Sequence, residues 1–532
     1  MAAYAGIIEY ILSLLVRIPL LSIIGDTGLG LFAPAFELII LATLLFSYGI
    51  SRTMTGLIRY RVKREQYKNA NKVFQTAFRL AIFISLILAL LTAVLSGVFS
   101  EIAVLEEMSK KAVFAAAPAI VLTALVSVFR GYFNGIGFGG LVVQSQYIEK
   151  IAMFVTVTFG GGLMYDYGLK AAALLQNPIV AYAYGALGAI LGMTAAELIA
   201  LIYLLIVFAI YAGTWRKQLK QDMVRRRESS GEILGMLFGN GFSAAFVAVF
   251  ANVFMLIDQR FFNYCMNRRE LSQNRAGLWG AYYGKFAVLI GVGTAICCLA
   301  VSSLIGKIVI AYEKEEYQTM RDRIGNAVKK LCVVSFPVAI NLAVLSEAFL
   351  NGLYQGDNAT MISMVMRGTV IIFFYGFAYL FGQIMLKLRM TKELVLSLVI
   401  ALTVHILAVF LFVRRGLLGE EGIVYSVIAF TAILAILCFV LTVRKLKYRQ
   451  EWLYSFAFPA VSACVAGLVV MLLNMLLLQT VGNILTILIS SLVGMILYIL
   501  LLMILRVLNE AELSKLFFGN LWIALGRMIG VL

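Results

Sequence analysis

Hydrophobic residues dominate the chain in long runs, with only short polar stretches between them. A helix that crosses a bilayer needs about 20 mostly apolar residues, and such runs follow one another almost from end to end. The pattern predicts fourteen spans, at 4–24, 31–51, 74–98, 112–132, 140–165, 179–212, 233–257, 277–305, 331–350, 361–385, 393–413, 421–442, 453–477 and 482–506. We therefore expect an all-α integral membrane protein with about fourteen transmembrane helices.

One polar stretch, "WRKQLKQDMVRRRESSGE", stands out between two groups of six spans. It predicts the following organisation: a first lobe at 1–214, a basic linker at 215–232, a second lobe at 233–442, and two further spans with an amphipathic tail at 443–532. The stretches 28–41 and 276–290 resemble each other, which supports a repeat of one lobe in the other. Parallel repeats in transporters place the substrate site between the two halves.

The composition and the charge distribution agree with a membrane protein. Of the 532 residues, 62% are hydrophobic and 13% are charged, whereas soluble domains have about 45–50% and about 25%. The net charge is +17, and the loops on one side of the predicted membrane carry 30 lysines and arginines against 9 on the other. This asymmetry places both termini in the cytoplasm. It explains the basic charge by topology and attraction to anionic lipids, so we expect no binding to nucleic acid.

Few residues have the chemistry of a metal site or of an enzyme. The six cysteines have no CxxC spacing, and His405 is the only histidine, so we expect no metal site and no bound cofactor. A membrane glycosyltransferase would need acidic catalytic residues on a sizeable external loop. The largest candidate loop, 258–276, is short and basic, so we expect a protein that is not an enzyme. A coupling cation, Na⁺ or H⁺, stays open.

The residues that point to function are charges inside the predicted spans. Such charges cost about 2.5–3.5 kcal/mol on insertion scales and usually mark a substrate or ion pathway. Candidate substrate-binding residues are Arg17, Arg52, Arg260, Lys285 and Arg367. Candidate charge-pair or ion-coupling residues are Glu37, Asp258 and Glu197. Salt bridges with a purely structural role are the alternative interpretation.

Some of these charges have expected partners. Among the candidates in or beside spans one, two, seven and eight, four cations face only two acids, Glu37 and Asp258. A positive cavity suits an anionic substrate such as pyrophosphate, which arginine binds through two parallel hydrogen bonds. The repeat also predicts a charge pair between Glu37 and Lys285. Glu149 and Lys150 are adjacent, so each is expected to need its own partner, and Arg130 is expected to anchor the end of span four.

The segments "RIPLLSIIGDTGLGL", "YGISR", "RGYFNGIG", "QSQYIEK" and "YGALGAILG" follow one another along the chain. In this order they resemble the stage V sporulation protein B-like polysaccharide transporters. That family belongs to the multidrug/oligosaccharidyl-lipid/polysaccharide exporter superfamily, which also contains the lipid II flippase. The resemblance is clearest over residues 1–350. It implies two pseudo-symmetric six-helix lobes around a central cavity, often with two additional helices, in the bacterial cytoplasmic membrane.

The resemblance also bears on individual residues. Basic residues on the first, second and eighth helices line the cavity of lipid II flippases, which supports Arg17 directly and Arg52 and Lys285 approximately. Arg17 is then expected to face the cleft between the lobes, with Pro19 bending its helix. Some relatives bind sodium through carboxylates on helices seven and eleven, but span eleven here has only Glu393 at its edge.

The leading hypothesis is a flippase that exports a polyprenyl-pyrophosphate-linked saccharide by alternating access. The alternative is an ion-coupled multidrug exporter of the same fold, although drug cations would favour an acidic cavity. A scaffold without transport activity is a further possibility. The expected partners are the lipid-linked saccharide and membrane lipids, and the chain is expected to act as a monomer.

Overall fold

The computed structural model describes residues 2–224, 226–267, 275–414, 421–514, 519–528 and 530. Helices make up most of this part of the chain, and none of it forms a β-strand. The predicted all-α class is confirmed. The chain packs into two compact units, the first comprising essentially residues 1–284 and the second essentially residues 285–532.

The first unit contains eleven α-helices in the described residues. They are α1 (Ala2–Leu15), α2 (Arg17–Leu44), α3 (Arg52–Val62), α4 (Tyr67–Val94), α5 (Ser96–Val98), α6 (Lys110–Ile136), α7 (Gly139–Leu175), α8 (Ile179–Gln221), α9 (Ser230–Asn252), α10 (Phe254–Asn267) and α11 (Arg275–Ala281). Leu45–Ser51 and Phe99–Val104 are π-helical, and Glu107–Ser109 forms a short 3₁₀ turn. Aromatic rings from α4, α6 and α8, among them Phe74, Tyr132 and Trp215, pack together in its core.

The second unit also contains eleven α-helices in its described part. They are α12 (Ala287–Glu313), α13 (Tyr317–Val344), α14 (Ser346–Leu353), α15 (Ala359–Gly368), α16 (Val370–Lys387), α17 (Thr391–Val409), α18 (Gly422–Leu446), α19 (Phe458–Leu477), α20 (Asn483–Ile504), α21 (Glu510–Leu513) and α22 (Gly519–Met528). The tail helices α21 and α22 bury Leu513 and Trp522 in a cluster with α19 and α20. Residues 515–518, 529, 531 and 532 of the predicted tail lie outside the described residues.

Twelve helical segments of the described chain are long and apolar enough to cross a membrane. The first of them, Tyr10–Val62, covers both of the first two predicted spans. The predicted fifth span lies within α7, which is not among the twelve. A multi-pass membrane protein is therefore confirmed, while the count of fourteen spans stays a prediction.

The first two predicted spans are separated by a sharp break at Gly25. This residue has φ 65° and ψ 177° between two helical parts of α2, a conformation that residues with a Cβ rarely adopt. Pro19 lies in the first turn of α2, where its missing N–H removes no helical hydrogen bond. The non-helical backbone within α2 is thus at Gly25, and the expected bend at Pro19 stays a prediction.

Glycines bring α7 and α8 into close contact along their length. A Cβ on Gly188 or on Gly192 would strike the α7 backbone at Gly160 or Thr156. The Thr156 hydroxyl also donates a hydrogen bond to the Gly192 carbonyl at 2.6 Å. Small residues at this spacing let transmembrane helices approach closely, so the glycines of "GALGAILG" serve the packing of this hairpin.

The first unit extends beyond the first lobe that was expected to end at residue 214. It includes α9, α10 and α11, which were assigned to the second lobe. The physical reason is close packing within this unit: a Cβ on Gly241 of α9 would strike the backbone of Gly49, and a Cβ on Gly280 of α11 would strike that of Asp26. The division into two six-helix lobes stays a prediction.

The linker between α8 and α9 forms hydrogen bonds with the end of α3 and the start of α4. The Glu228 carboxylate accepts hydrogen bonds from the Arg61 guanidinium, with Nε at 3.0 and 3.1 Å. Asp222 Oδ2 accepts from the Lys68 backbone N–H at 2.6 Å. The linker's acids thus face the protein, while the Arg226 side chain is 87% exposed. The predicted basic linker is therefore held against the first unit by these hydrogen bonds. Arg225 lies outside the described residues.

The structure offers accessible positions for testing membrane orientation. Met223, in the linker, is 94% exposed, and Gln355 is exposed in the turn between α14 and α15. With Cys464, the exposed native cysteine among the six, replaced by serine, we expect Met223→Cys to react only from the cytoplasmic side. Gln355→Cys should react only from outside, since the charge asymmetry orients the chain. Measurement is by labelling intact cells with a membrane-impermeant maleimide. Labelling of both cysteines from outside contradicts the topology.

Candidate functional site

The Arg17 side chain is buried in the first unit and fully surrounded by protein. It begins α2 and is 5% exposed. Its Nη1 donates a hydrogen bond to the Tyr283 backbone carbonyl at 3.1 Å, and its Nη2 donates to the Tyr283 hydroxyl at 2.9 Å. The guanidinium carbon also lies 3.7 Å from the centre of the Tyr283 ring and 5.2 Å from that of Phe36. Stacking on aromatic faces suits a guanidinium removed from water.

Glu37 supplies the negative charge that this site needs. Its Oε1 accepts a hydrogen bond from the Tyr283 hydroxyl at 2.6 Å and lies 3.9 Å from Arg17 Nη2. Glu37 itself is 7% exposed. The Tyr283 hydroxyl thus connects a cation and an anion, accepting from one and donating to the other. We call Arg17, Glu37 and Tyr283 the arginine cluster.

Helix irregularities hold the three members of the arginine cluster in place. Arg17 and Glu37 lie on α2 on opposite sides of the Gly25 break. Tyr283 lies in the π-helical segment Tyr282–Phe286, which follows α11. A π turn interrupts the regular hydrogen-bond ladder, and the Tyr283 carbonyl accepts from Arg17. α11 reaches α2 because Gly280 leaves room for backbone contact.

The arginine cluster does not use all the hydrogen-bonding capacity of its guanidinium. Arg17 Nε is buried and has no hydrogen-bond partner, so at least one of the five N–H donors of the guanidinium is unused. Its contact with Glu37 is a long one, with the tyrosine hydroxyl accepting the shorter bond. An anion with several oxygens could satisfy more of the guanidinium donors than Glu37 does. The arrangement therefore fits a binding site whose resting counter-ion is Glu37.

The remaining candidates of the first unit lie in different environments. Arg52 begins α3 and is exposed, and Arg260 on α10 is exposed as well. Asp258 is completely buried. Its neighbour Gln259 donates a hydrogen bond to the Gly30 carbonyl of α2 at 3.1 Å. The structure brings together Arg17 and Glu37 from the predicted set, while a binding role for Arg52 and Arg260 stays a prediction.

The second unit contains the other two cationic candidates. Lys285 is 2% exposed and follows Gly284 in the π-helical segment. Arg367 lies near the end of α15 and forms an ion pair with Glu421, which also accepts from the Ser363 hydroxyl at 2.6 Å. Arg367 thus has a structural partner of its own. The predicted pair between Glu37 and Lys285 stays a prediction.

A second buried group of charges lies between α6, α7 and α8. Glu149 accepts from Arg130 at 2.6 Å and also pairs with its neighbour Lys150. Glu149 thus has the separate partner expected for it, Arg130, but the sequence did not predict that the adjacent Lys150 would also contact this carboxylate. Glu197, 4% exposed, accepts from the Thr123 hydroxyl at 2.9 Å, while its Oε2 has no hydrogen-bond partner. Arg130 is therefore part of a buried network.

Comparison with known sequences decides the family. The sequence pattern of the family described as "Polysaccharide biosynthesis protein" matches residues 1–301. The chain belongs to the polysaccharide biosynthesis protein family. The resemblance expected from the sequence motifs is confirmed, and residues 1–301 include all three members of the arginine cluster.

One curated relative and two solved structures illustrate what the chain is similar to. It is 20% identical over 475 residues to "Stage V sporulation protein B" of Bacillus subtilis (strain 168), covering 86% of each chain. Its fold is similar to that of the lipid II flippase MurJ in an inward closed conformation, with a TM-score of 0.64 and 14% identity over 93% of this chain and 96% of that chain. It is also similar to an inward-facing multidrug resistance MATE family transporter, with a TM-score of 0.60 and 12% identity over 82% and 94%.

These likenesses show that the chain has the fold of the two solved membrane transporters. Their low identities carry no information on its substrate. Among the described residues of this polysaccharide biosynthesis protein, no group of three or more histidine, cysteine, aspartate or glutamate side chains could hold a metal ion. A coupling cation is not addressed by that observation.

Sequence reasoning missed Tyr283, the residue that completes the arginine cluster. Its signal was the aromatic pair in "WGAYYGKF", which Gly284 separates from Lys285. An aromatic residue beside a glycine contact is ordinary in a transmembrane helix, so the pair alone predicted no role. Only the approach of α11 to α2 brings the Tyr283 hydroxyl between Arg17 and Glu37.

Removing Arg17 should destabilise this polysaccharide biosynthesis protein. Arg17→Ala leaves Glu37 buried without its cation, and loss of one partner of a buried ion pair costs about 3–5 kcal/mol. The exposed arginine Arg52 is the matched control, and Arg52→Ala should leave stability unchanged. Thermal unfolding in detergent measures both. Adding Glu37→Gln to Arg17→Ala should restore part of the loss, and equal melting of the two alanine variants would contradict the buried pair.

Proposed function

We propose that the protein is a flippase that exports a polyprenyl-pyrophosphate-linked saccharide across the cytoplasmic membrane by alternating access. The observation that carries this proposal is the buried Arg17 guanidinium, whose counter-ion Glu37 contacts it at 3.9 Å. A permanently charged group with a displaceable counter-ion suits an anionic headgroup that must bind and then leave. Membership of the polysaccharide biosynthesis protein family supports the same substrate class, and the shared fold supports a transport role.

In this proposal the pyrophosphate replaces Glu37 as the main partner of Arg17. Arginine presents parallel N–H groups that match two phosphate oxygens, and its charge does not titrate. Arg52, Arg260 and Lys285 are further cations that could meet the headgroup along its path. Tyr283 then keeps its hydrogen bond with whichever of Arg17 or Glu37 remains in place. The substrate and the carboxylate compete for one guanidinium.

Ion coupling is the other part of the proposal. Glu197 is a candidate for carrying a coupling ion, because its carboxylate is buried with one oxygen lacking a hydrogen-bond partner. Asp258 is a second buried carboxylate on α10. Glu37 is a third candidate once the substrate has displaced it from Arg17. A buried carboxylate without its cation favours taking up a proton. The nature of the ion, Na⁺ or H⁺, is left to the transport measurement.

Substitution of Arg17 by lysine tests the substrate role. Lysine keeps the positive charge near Glu37 but lacks the planar fork that binds two phosphate oxygens. In proteoliposomes loaded with undecaprenyl-pyrophosphoryl N-acetylglucosamine, we expect Arg17→Lys to reduce outward transport about tenfold, which corresponds to about 1.4 kcal/mol. Transport is measured by the access of an external glycosidase to the sugar, and Arg52→Lys is the matched control.

Other outcomes separate the alternatives. Wild-type protein that moves ethidium but not the pyrophosphate lipid would support the multidrug exporter, a possibility that the shared fold leaves open. Movement of neither compound would favour a scaffold role. Full lipid transport by Arg17→Lys, with normal melting, would contradict the role of the guanidinium fork.

A further inference from the structure

A cavity of about 400 Å³ lies near the turn that joins α7 to α8, within the first unit. Two half-buried tyrosines, Tyr165 and Tyr182, stand on its walls, one from each helix, with their ring centres 5.6 Å apart. The Gln176 side chain contributes an amide, and the other walls are alanine, leucine and proline. Apolar cavities of this size with a few polar groups are typical binding sites for small molecules. We call it the tyrosine groove.

The tyrosine groove adjoins the break in α2. A Cβ on Gly25 would lie 3.8 Å from the Tyr182 ring. Below the break, Leu20 of α2 packs against Gly161 of α7. The part of α2 that runs from Arg17 to Gly25 therefore ends next to the groove. From Arg17 to Gly25 the helix rises by about 12 Å.

Part of the groove lies beyond the first turn of the neighbouring helix α6. Lys111 in the first turn of α6 sits over the Tyr184 ring at 3.8 Å, and Tyr184 packs against Gly168. Lysine at the end of a span marks the headgroup level. From Gly168 to the end of α7 at Leu175 the helix rises by about a further 10 Å. From this level the groove extends to Gln176 and Pro178, at the turn between α7 and α8.

This end of the hairpin is the one expected to face outward. The opposite end of α8 carries Arg216, Lys217 and Lys220, all exposed. Basic residues at the end of a span indicate the cytoplasmic side. The tyrosine groove then opens toward the compartment in which an exported headgroup arrives.

From this position and lining we infer that the tyrosine groove binds a pyranose ring of the exported saccharide. The inference rests on the proposed function and names a site for the part of the substrate that Arg17 does not hold. A pyranose has a face of C–H groups that packs on an aromatic ring, and equatorial hydroxyls that bond to tyrosine hydroxyls and an amide. With the pyrophosphate at Arg17, a sugar about 12 Å further along α2 reaches this level.

The other tyrosines of the hairpin behave differently and provide a control. Tyr167 is 57% exposed and pairs with Tyr184, with ring centres 5.3 Å apart. It does not line the groove. Such tyrosines at a membrane boundary fit the aromatic belt that anchors membrane proteins. Tyr165 and Tyr182 differ from them by facing a cavity.

The experiment measures the affinity of the full-length protein in nanodiscs for four lipids. These are bare undecaprenyl pyrophosphate and the same lipid carrying N-acetylglucosamine, glucose or galactose. We expect wild-type protein to bind at least one sugar-bearing lipid about tenfold more tightly than the bare lipid. Tyr165→Leu and Tyr182→Leu should lose this difference while binding the bare lipid as wild type does. Tyr167→Leu should retain it.

The outcomes distinguish the groove from the proposed function. If wild-type protein binds the bare lipid and all sugar-bearing lipids equally, the tyrosine groove is not a sugar site and the pyrophosphate site stands. A sugar preference that survives in both Tyr165→Leu and Tyr182→Leu also overturns the inference. If wild-type protein binds none of the four lipids, the proposed function fails and the groove assignment fails with it.

Discussion

A buried arginine needs a counter-ion, and the central part of the first unit is arranged to supply one to Arg17. The charge lies at 5% exposure in an apolar surrounding, where an uncompensated cation would be strongly unfavourable. Glu37 provides the negative charge, and Tyr283 provides a hydroxyl, a carbonyl and a ring face. The close approach at Gly280 and the π-helical segment Tyr282–Phe286 bring Tyr283, the third member of the arginine cluster, within reach.

The same constraint governs the second buried network. Glu149 lies between two cations, whereas the buried Glu197 accepts a hydrogen bond from the neutral Thr123 hydroxyl. Charges at the ends of helices behave otherwise: Arg52 and Arg260 are exposed and need no protein partner. Depth inside the protein thus separates charges that the fold must neutralise from charges that solvent or lipid headgroups can satisfy. A transporter can use the first kind as sites whose occupancy changes with substrate.

Much of the candidate site was predictable from composition along the chain. Arg17, Glu37 and Asp258 were selected because they interrupt apolar runs, and all three are buried. Arg52 and Arg260 were selected by the same reasoning, yet they are exposed. The difference arises because hydropathy shows where along the chain a charge lies, whereas the rotation of the helix decides which face carries it. Partners such as Tyr283 were invisible for the same reason.

The sequence by itself determined the all-α membrane class, the approximate position of most helices and the family. Those properties depend on runs of apolar residues and on ordered local motifs, which need no knowledge of contacts between distant segments. Only the tertiary structure decided that the chain breaks at Gly25, that α11 packs with the first unit and that Glu149 neutralises its own neighbour. These depend on contacts between residues far apart in the chain. They also depend on backbone irregularities, such as the break at Gly25, whose exact position the hydrophobic pattern does not specify. Whether an intramembrane charge is paired or exposed is therefore a property of packing, because its energy depends on what the fold brings within a few ångströms of it.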